Sequence, residues 1–373
     1  TGVRVRGSGR KTAGCSADDF QRFTDFLEMR IARNRFSVAK RGSILLMVLV
    51  LIIVVSYVLT KFIERAHVEV QGEGYYVERT RLRLQAWSML EVAVAVLADV
   101  KTIDGSLYSP TQGWRDPLDY AQVELPEGMH VTFDFIDESA KLGINELDEG
   151  SLFLLFDHME FDLDVSQTLT NSLLDWIDED DEARIDGGES REYSSAEMEM
   201  HPSNRPLQSL GELSSIIGFR EHFFDEYGFP NNYFSQLAEM LTHHPVTQLN
   251  ANTASPLALE SLAGLNEIQV ETLQDYLAGI DREFDTDDDN YFATGGEISD
   301  VIGETEQGVP ISNQISILTI KVTVQESGSA YSLIGTISVE SQPTENSETG
   351  ELQYPFLFLE LREEAGLNGV RSS

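Results

Sequence analysis

Apolar residues fill positions 43–60 almost without interruption, and between Ile44 and Leu59 the only polar side chain is Ser56. Eighteen residues at about 1.5 Å of rise each predict a helix roughly 27 Å long, close to the hydrocarbon thickness of a bilayer. A cleaved secretory signal and an ordinary membrane anchor are the plain alternatives. A signal's apolar stretch is usually about 7–15 residues and ends at a small-residue cleavage site. Here the run ends in Thr60-Lys61-Phe62-Ile63-Glu64-Arg65, so a retained helix is favoured.

Beyond it, positions 61–100 keep a helical period. Leu82, Leu84, Trp87, Leu90, Val92, Val94 and Leu97 line an apolar stripe, with Glu78, Arg79, Arg81 and Arg83 on the polar side. Gly72 and Gly74 interrupt this spine and are expected to mark a break or bend. A turn-rich stretch over 105–128 precedes alternating apolar and polar residues at 130–137, the pattern of a half-buried strand. From about 150 to 305 the period turns helical again, with short helices expected at 150–158, 165–178, 207–217, 232–242, 255–263, 267–280 and 296–303, joined by acidic loops. Strand patterns return at 315–325, 330–341 and 352–361, with a polar loop at 342–350. A helical block set inside a strand-bearing frame predicts an α+β fold: a transmembrane and spine helix, an antiparallel sheet and a large inserted helical domain. The expected boundaries are a leader at 1–42, a membrane helix at 43–62, the spine and first strand at 63–146, the insertion at 147–305, the remaining strands at 306–365 and a tail at 366–373.

Charge orients this plan. Residues 1–42 hold ten Lys and Arg against four acids, a net of +6, while the whole chain carries −37, which leaves −43 for residues 43–373. Basic residues beside a membrane mark the cytoplasmic side, so the expected topology is a single pass with the N-terminus inside and the acidic body outside. The single cysteine, Cys15, lies in the leader, so the exported body has no disulfide to stabilise it. A body this acidic repels nucleic acid and suits divalent cations.

The acidic loop after Trp176 is the best candidate for chemistry. Counting Asp178 as position 1, acids fall at 3 (Asp180), 5 (Glu182), 9 (Asp186) and 12 (Glu189), positions from which an EF-hand loop directs oxygens at calcium. Ala183 stands at the sixth position where that loop requires glycine, so a true EF-hand is not expected. Calcium still wants six to eight hard oxygens, and Asp175, Asp178, Asp180, Asp181, Asp186 and Glu189 are the proposed ligands, against the plain reading of a solvated acidic loop. A weaker second site is Asp285, Asp287 and Asp289, where the twelfth position is Gly296 and Glu297 falls one late.

Other chemistry fares worse. Residues 250–277 can be read as a helix-hairpin-helix, but no Lys or Arg stands between Arg220 and Arg282, so phosphate binding is not expected and the hairpin reads as a packing unit. Adjacent His243 and His244 would point apart on a helix, and no His-Glu-x-x-His accompanies them, which argues against a zinc site. Nucleophile-elbow, Walker and dinucleotide motifs are missing, so no enzyme class is assigned.

Several segments together resemble one family. Lys40-Arg41-Gly42 before the apolar run looks like a type IV prepilin junction, with processing by a prepilin peptidase after Gly42 and Ser43 as the new, methylated terminus. Leu142-Gly143-Ile144-Asn145-Glu146-Leu147, Leu174-Asp175-Trp176-Ile177-Asp178-Glu179-Asp180-Asp181, Asn204-Arg205-Pro206-Leu207-Gln208-Ser209-Leu210-Gly211-Glu212-Leu213 and Asn250-Ala251-Asn252-Thr253-Ala254-Ser255-Pro256 resemble, in order, the type II secretion minor pseudopilin K family (GspK-like). Met47, fifth after the expected cut, stands where most pilins carry glutamate, and the K-type member resembles this chain in lacking it. Ser43 departs from the larger apolar residue more common there. The resemblance implies a pilin-like sheet, calcium in the helical domain, I- and J-type minor pseudopilins as partners and a place at the pseudopilus tip. A minor pilin of a type IV pilus, or a membrane-anchored adhesin or hydrolase, is the alternative.

Overall fold

The computed structural model describes residues 43–195, 201–284, 286, 288–303, 308–339 and 355–365. The chain divides into two units, Thr1–Tyr75 and Tyr76–Ser373. Helix α1 (Ser43–Asp104) is 62 residues long and unbroken. The break expected at Gly72 and Gly74 does not occur, since two glycines, each costing about 1 kcal/mol relative to alanine, can be carried by a long run of helix-forming neighbours. In the first unit, the 24 residues Ile44–His67 are long and apolar enough to cross a membrane. Every side chain from Ile44 to Leu59 is exposed there.

The second unit holds two hydrophobic cores. In the frame, the remainder of α1 lies with α2 (Pro117–Tyr120) and an antiparallel sheet of β1 (Met129–Asp137), β6 (Ile317–Glu326), β7 (Ser329–Ser338) and β8 (Leu357–Ala365), ordered β1-β6-β7-β8. Leu82, Ala86, Leu90, Ala93, Val94, Leu97 and Val100 of α1 are buried with Leu318, Ile320, Val322, Val324, Leu333 and Ile337 of the sheet. Leu84, expected in this stripe, is 63% exposed, and Ala86 and Ala93 sit on the buried face instead. Small residues at those turns let the helix axis approach the sheet, a role that a count of large apolar residues overlooks.

The second core belongs to the insertion and runs from Leu142 to Ile302. It gathers α3 (Glu149–His158), α4 (Leu163–Ile177), α5 (Ser190–Ser195), α6 (Phe219–Phe223), α7 (Asn232–Met240), α8 (Pro256–Ser261), α9 (Glu267–Leu277) and α10 (Gly295–Ile302). Their starts are written in the sequence. Asp148 caps α3 by accepting from the Ser151 amide at 2.8 Å, and Asn231 caps α7 at Phe234. Capping boxes open α9 (Asn266 with Gln269) and α10 (Thr294 with Glu297). The helix expected over 207–217 is only a 3₁₀ turn at Leu210–Ser215, whose leading Ser209 makes no side-chain cap, and Gly218 at φ 82° separates it from α6. Helices α5 and α6, at six and five residues, are too short for a periodic signal.

Two short parallel ladders and a set of buried amides hold the insertion together and join it to the frame. β2 (Leu142–Gly143) pairs with β3 (Leu241–Thr242), and β4 (Leu249–Asn250) with β5 (Ile311–Ser312). Asn145 donates to the carbonyls of Leu207 (3.0 Å) and His243 (3.2 Å) and accepts from the Leu207 amide (2.8 Å). Asn252 donates to the carbonyls of Phe292 and Asn313 and accepts from the Phe292 amide at 2.7 Å. At the end of β1, Asp137 accepts from Asn250 (2.8 Å), Thr253 (2.5 Å) and the Ser139 amide (2.8 Å). The helical hairpin of α8 and α9 buries Leu259, Leu262, Leu265, Val270, Leu273 and Leu277 in this core, the packing unit expected of it.

Candidate metal centre

The acidic loop is built outward from the buried side of α4. Asp175 is fully buried, with Oδ2 accepting from the amides of Arg184 (3.1 Å) and Gly188 (2.9 Å). One turn earlier, Asn171 Nδ2 donates to the Ile185 carbonyl at 2.6 Å, so two turns of one helix hold the returning loop. Gly187 has to be glycine here, because a Cβ would come within 2.2 Å of Asp175 Oδ2. Arg184 Nη1 completes the inner layer by bridging Asp175 Oδ1 and Asp178 Oδ2, each at 2.6 Å.

What remains is a set of oxygens without donors. Asp178 Oδ1, both Glu189 oxygens and Asn171 Oδ1 are buried with no hydrogen-bond partner among the described residues. Carboxylate oxygens of Asp178, Asp180 and Glu189 all lie within 4.8 Å of one another. Glu189 is 1% exposed, and its pKa is pushed up to about 7 by burial first and then by the charges of Asp175, Asp178, Asp181 and Asp180. A buried carboxylate left without a partner costs several kcal/mol. Three converging hard-oxygen groups with unpaired atoms fit a divalent cation such as calcium, and their chemistry excludes a soft-metal site.

Of the six expected ligands, the fold therefore assembles Asp178, Asp180 and Glu189. They are positions 1, 3 and 12 of the calcium-loop template, with Glu189 offering two free oxygens in the bidentate place. Asp175 stands behind them, its oxygens taken by Arg184 and two amides. Asp181 acts on Glu189 only by its charge. Asp186 is exposed with φ 59° and lies outside the group. Sequence reasoning missed Asn171 and Arg184. Asn171 is legible in retrospect as a polar residue four before Asp175, on the same apolar helix face.

The weaker second cluster is placed only in part, since Asp285 and Asp287 lie outside the described residues, as does Gly42. Asp289 accepts from the Thr286 hydroxyl at 3.3 Å. Neighbouring Asp288 accepts from the amides of Ile280 (2.6 Å) and Asp281 (3.2 Å), which holds its carboxyl below the usual range, so this acid closes a turn.

His243 and His244 contradict the expectation set for them. They lie in a bend after β3 rather than on a helix, so consecutive side chains are not splayed by 100°. Their ring centroids are 4.0 Å apart, and their nitrogens group with a Glu360 oxygen within 4.8 Å.

Residues 138–227 match the family described as type II secretion system (T2SS), protein K. This stretch is similar to protein K of that system. It contains Asn145, α4, the acidic loop and the 3₁₀ turn, so the proposed cation site lies wholly inside it. No curated protein matches the chain. Among solved structures, one chain from the crystal structure of the GspK-GspI-GspJ complex of the enterotoxigenic Escherichia coli type 2 secretion system aligns at 15% identity and a TM-score of 0.48. The alignment covers 78% of this chain and 99% of that one.

Proposed function

We propose that this protein is a minor pseudopilin of a type II secretion system, acting at the pseudopilus tip. The observation that carries the reading is the similarity to protein K at residues 138–227, joined in one chain to an apolar N-terminal helix that meets the length of a membrane span. The anchor holds the subunit in the inner membrane with its acidic body outside, and prepilin peptidase releases Ser43 as the mature terminus. I- and J-type minor pseudopilins are its partners. Without a glutamate at Met47, the subunit has no membrane carboxylate to offer a subunit ahead of it, which suits a terminal position. Its bulky insertion then limits growth beyond the tip.

In this reading calcium is a structural part. Asp178, Asp180 and Glu189 hold it, Asp175 and Arg184 brace the loop, and the ion removes the cost of the unpaired buried oxygens. The test is to mix the whole chain in detergent with candidate I- and J-type subunits, with calcium or with EGTA, and to measure the mass of the species formed. A ternary complex in calcium is expected, and its absence would sink the assembly role. Intact mass of the membrane form is a separate check, with a chain beginning at Ser43 expected.

A further inference from the structure

The insertion and the frame meet at a second cluster that the secretion role does not use. His243 and His244 follow β3, and Glu360 lies on β8, the outer strand of the four-stranded sheet. Ligand atoms of all three fall within 4.8 Å of one another. We propose that His243, His244 and Glu360 bind a divalent transition metal of the zinc class, which staples the insertion to the edge strand of the frame.

Each ligand is aimed by its surroundings. Asn145 Nδ2 donates to the His243 carbonyl at 3.2 Å, and the Gly143 amide donates to the Val246 carbonyl at 2.8 Å, so the bend is fixed on both sides of the pair. Gly143 permits this approach, because a Cβ there would lie 2.6 Å from the His244 carbonyl oxygen. His244 is 8% exposed, and its amide donates to Thr242 Oγ1, whose hydroxyl in turn donates to Glu138 at 2.7 Å. On the other side, Glu360 pairs with Thr336 while Phe358 pairs with Ile337, which leaves Leu359 as a bulge. Bulges re-aim side chains on strands, and this one sets the carboxylate immediately beside it. The competing partner of Glu360 is Arg362, at 3.7 Å and mostly exposed, a weak hold beside two imidazoles.

The chemistry separates this group from the acidic loop. Two imidazoles and one carboxylate are a zinc, nickel or copper set, with a fourth position left for water, whereas the carboxylates of the loop suit calcium.

The test uses the whole chain in detergent, stripped of transition metals and kept in excess calcium so that acidic sites are filled. Zinc chloride is titrated by calorimetry, and the bound ion is examined by X-ray absorption. One zinc per chain is expected, with two nitrogen ligands and at least one carboxylate oxygen. His243→Gln and Glu360→Gln should each weaken binding by roughly 10–100-fold or more. Glu360→Gln sits on an exposed edge strand and leaves the fold intact, which thermal melting without zinc verifies. No uptake at micromolar zinc, equal uptake by the variants, or an all-oxygen ligand shell would overturn the site.

Discussion

Two buried glutamates, one at the edge of the frame and one in the insertion, show how differently the two cores are made. Glu138 is 9% exposed and both of its oxygens are taken, Oε2 by the Thr242 hydroxyl at 2.7 Å and Oε1 by that of Thr319 at 3.0 Å. Glu189 is 1% exposed and neither oxygen has a partner among the described residues. Glu138 is satisfied by side chains of the protein itself, Thr319 from the frame and Thr242 from the insertion, beside continuous ladders of nine and ten residue pairs. The insertion, made of short helices between acidic loops, leaves oxygens aimed at one point. On the proposed reading, one core is self-sufficient and the other is conditional on a cation.

The largest effect expected is on the self-sufficient side. Leu90 is 1% exposed in the packing of α1 on the sheet. Leu90→Ala should lower the stability of the frame by about 2–5 kcal/mol, through lost burial and the cavity left behind. Calcium affinity, measured by titration below the melting transition, should be unchanged. If it falls in proportion, the two cores form one cooperative unit and the contrast breaks.

Calcium withdrawal probes the other side. An ion held at 100–1,000 times its dissociation constant stabilises the bound state by about 3–4 kcal/mol. Hydrogen exchange with and without EGTA should therefore show lost protection over α4, the acidic loop and α5, with β1, β6 and β7 unaffected. Uniform loss across the sheet would show that the frame too depends on the ion, and no loss anywhere would leave the buried oxygens unexplained.

That asymmetry also decides what the sequence could show. The frame strands and most helices of the insertion were legible because period and capping are local: the alternation at 130–137 became β1, and Asn266 with Gln269 opened α9. The site was legible in part for the same reason. Positions 1, 3 and 12 of a known template converge, but Asp186 at position 9, on a left-handed backbone at φ 59°, lies outside the group. Arg184 was invisible as the inner cation, since its bridge between Asp175 and Asp178 depends on how the loop returns. The grouping of His243 with Glu360 depends on strand order, across more than a hundred residues, and no spacing rule reaches that far. The resemblance segments turned out to include the joints themselves: Asn250 and Asn252 are clamps between frame and insertion, and Asn145 ties the start of the insertion's core to Leu207.

The smallest effect expected lies at one of those joints and sets how independent the two cores are. Asp137 accepts from Asn250 and Thr253, yet burial outweighs these bonds and raises its pKa from 3.8 to about 6. A raised folded-state value means that the folded protein holds the proton more tightly than the unfolded chain between those two pH values. The contribution of Asp137 to stability is therefore complete below about pH 4 and is lost as pH rises through about 6, amounting to roughly 1–3 kcal/mol. Other carboxylates titrate in the same window, so the quantity to measure is the difference in unfolding free energy between the wild type and Asp137→Asn, from pH 4 to pH 7. That difference should shift against the wild type across the window and then level off. A flat difference would mean that the clamp carries its charge without cost, and that the frame grips the insertion equally at any pH.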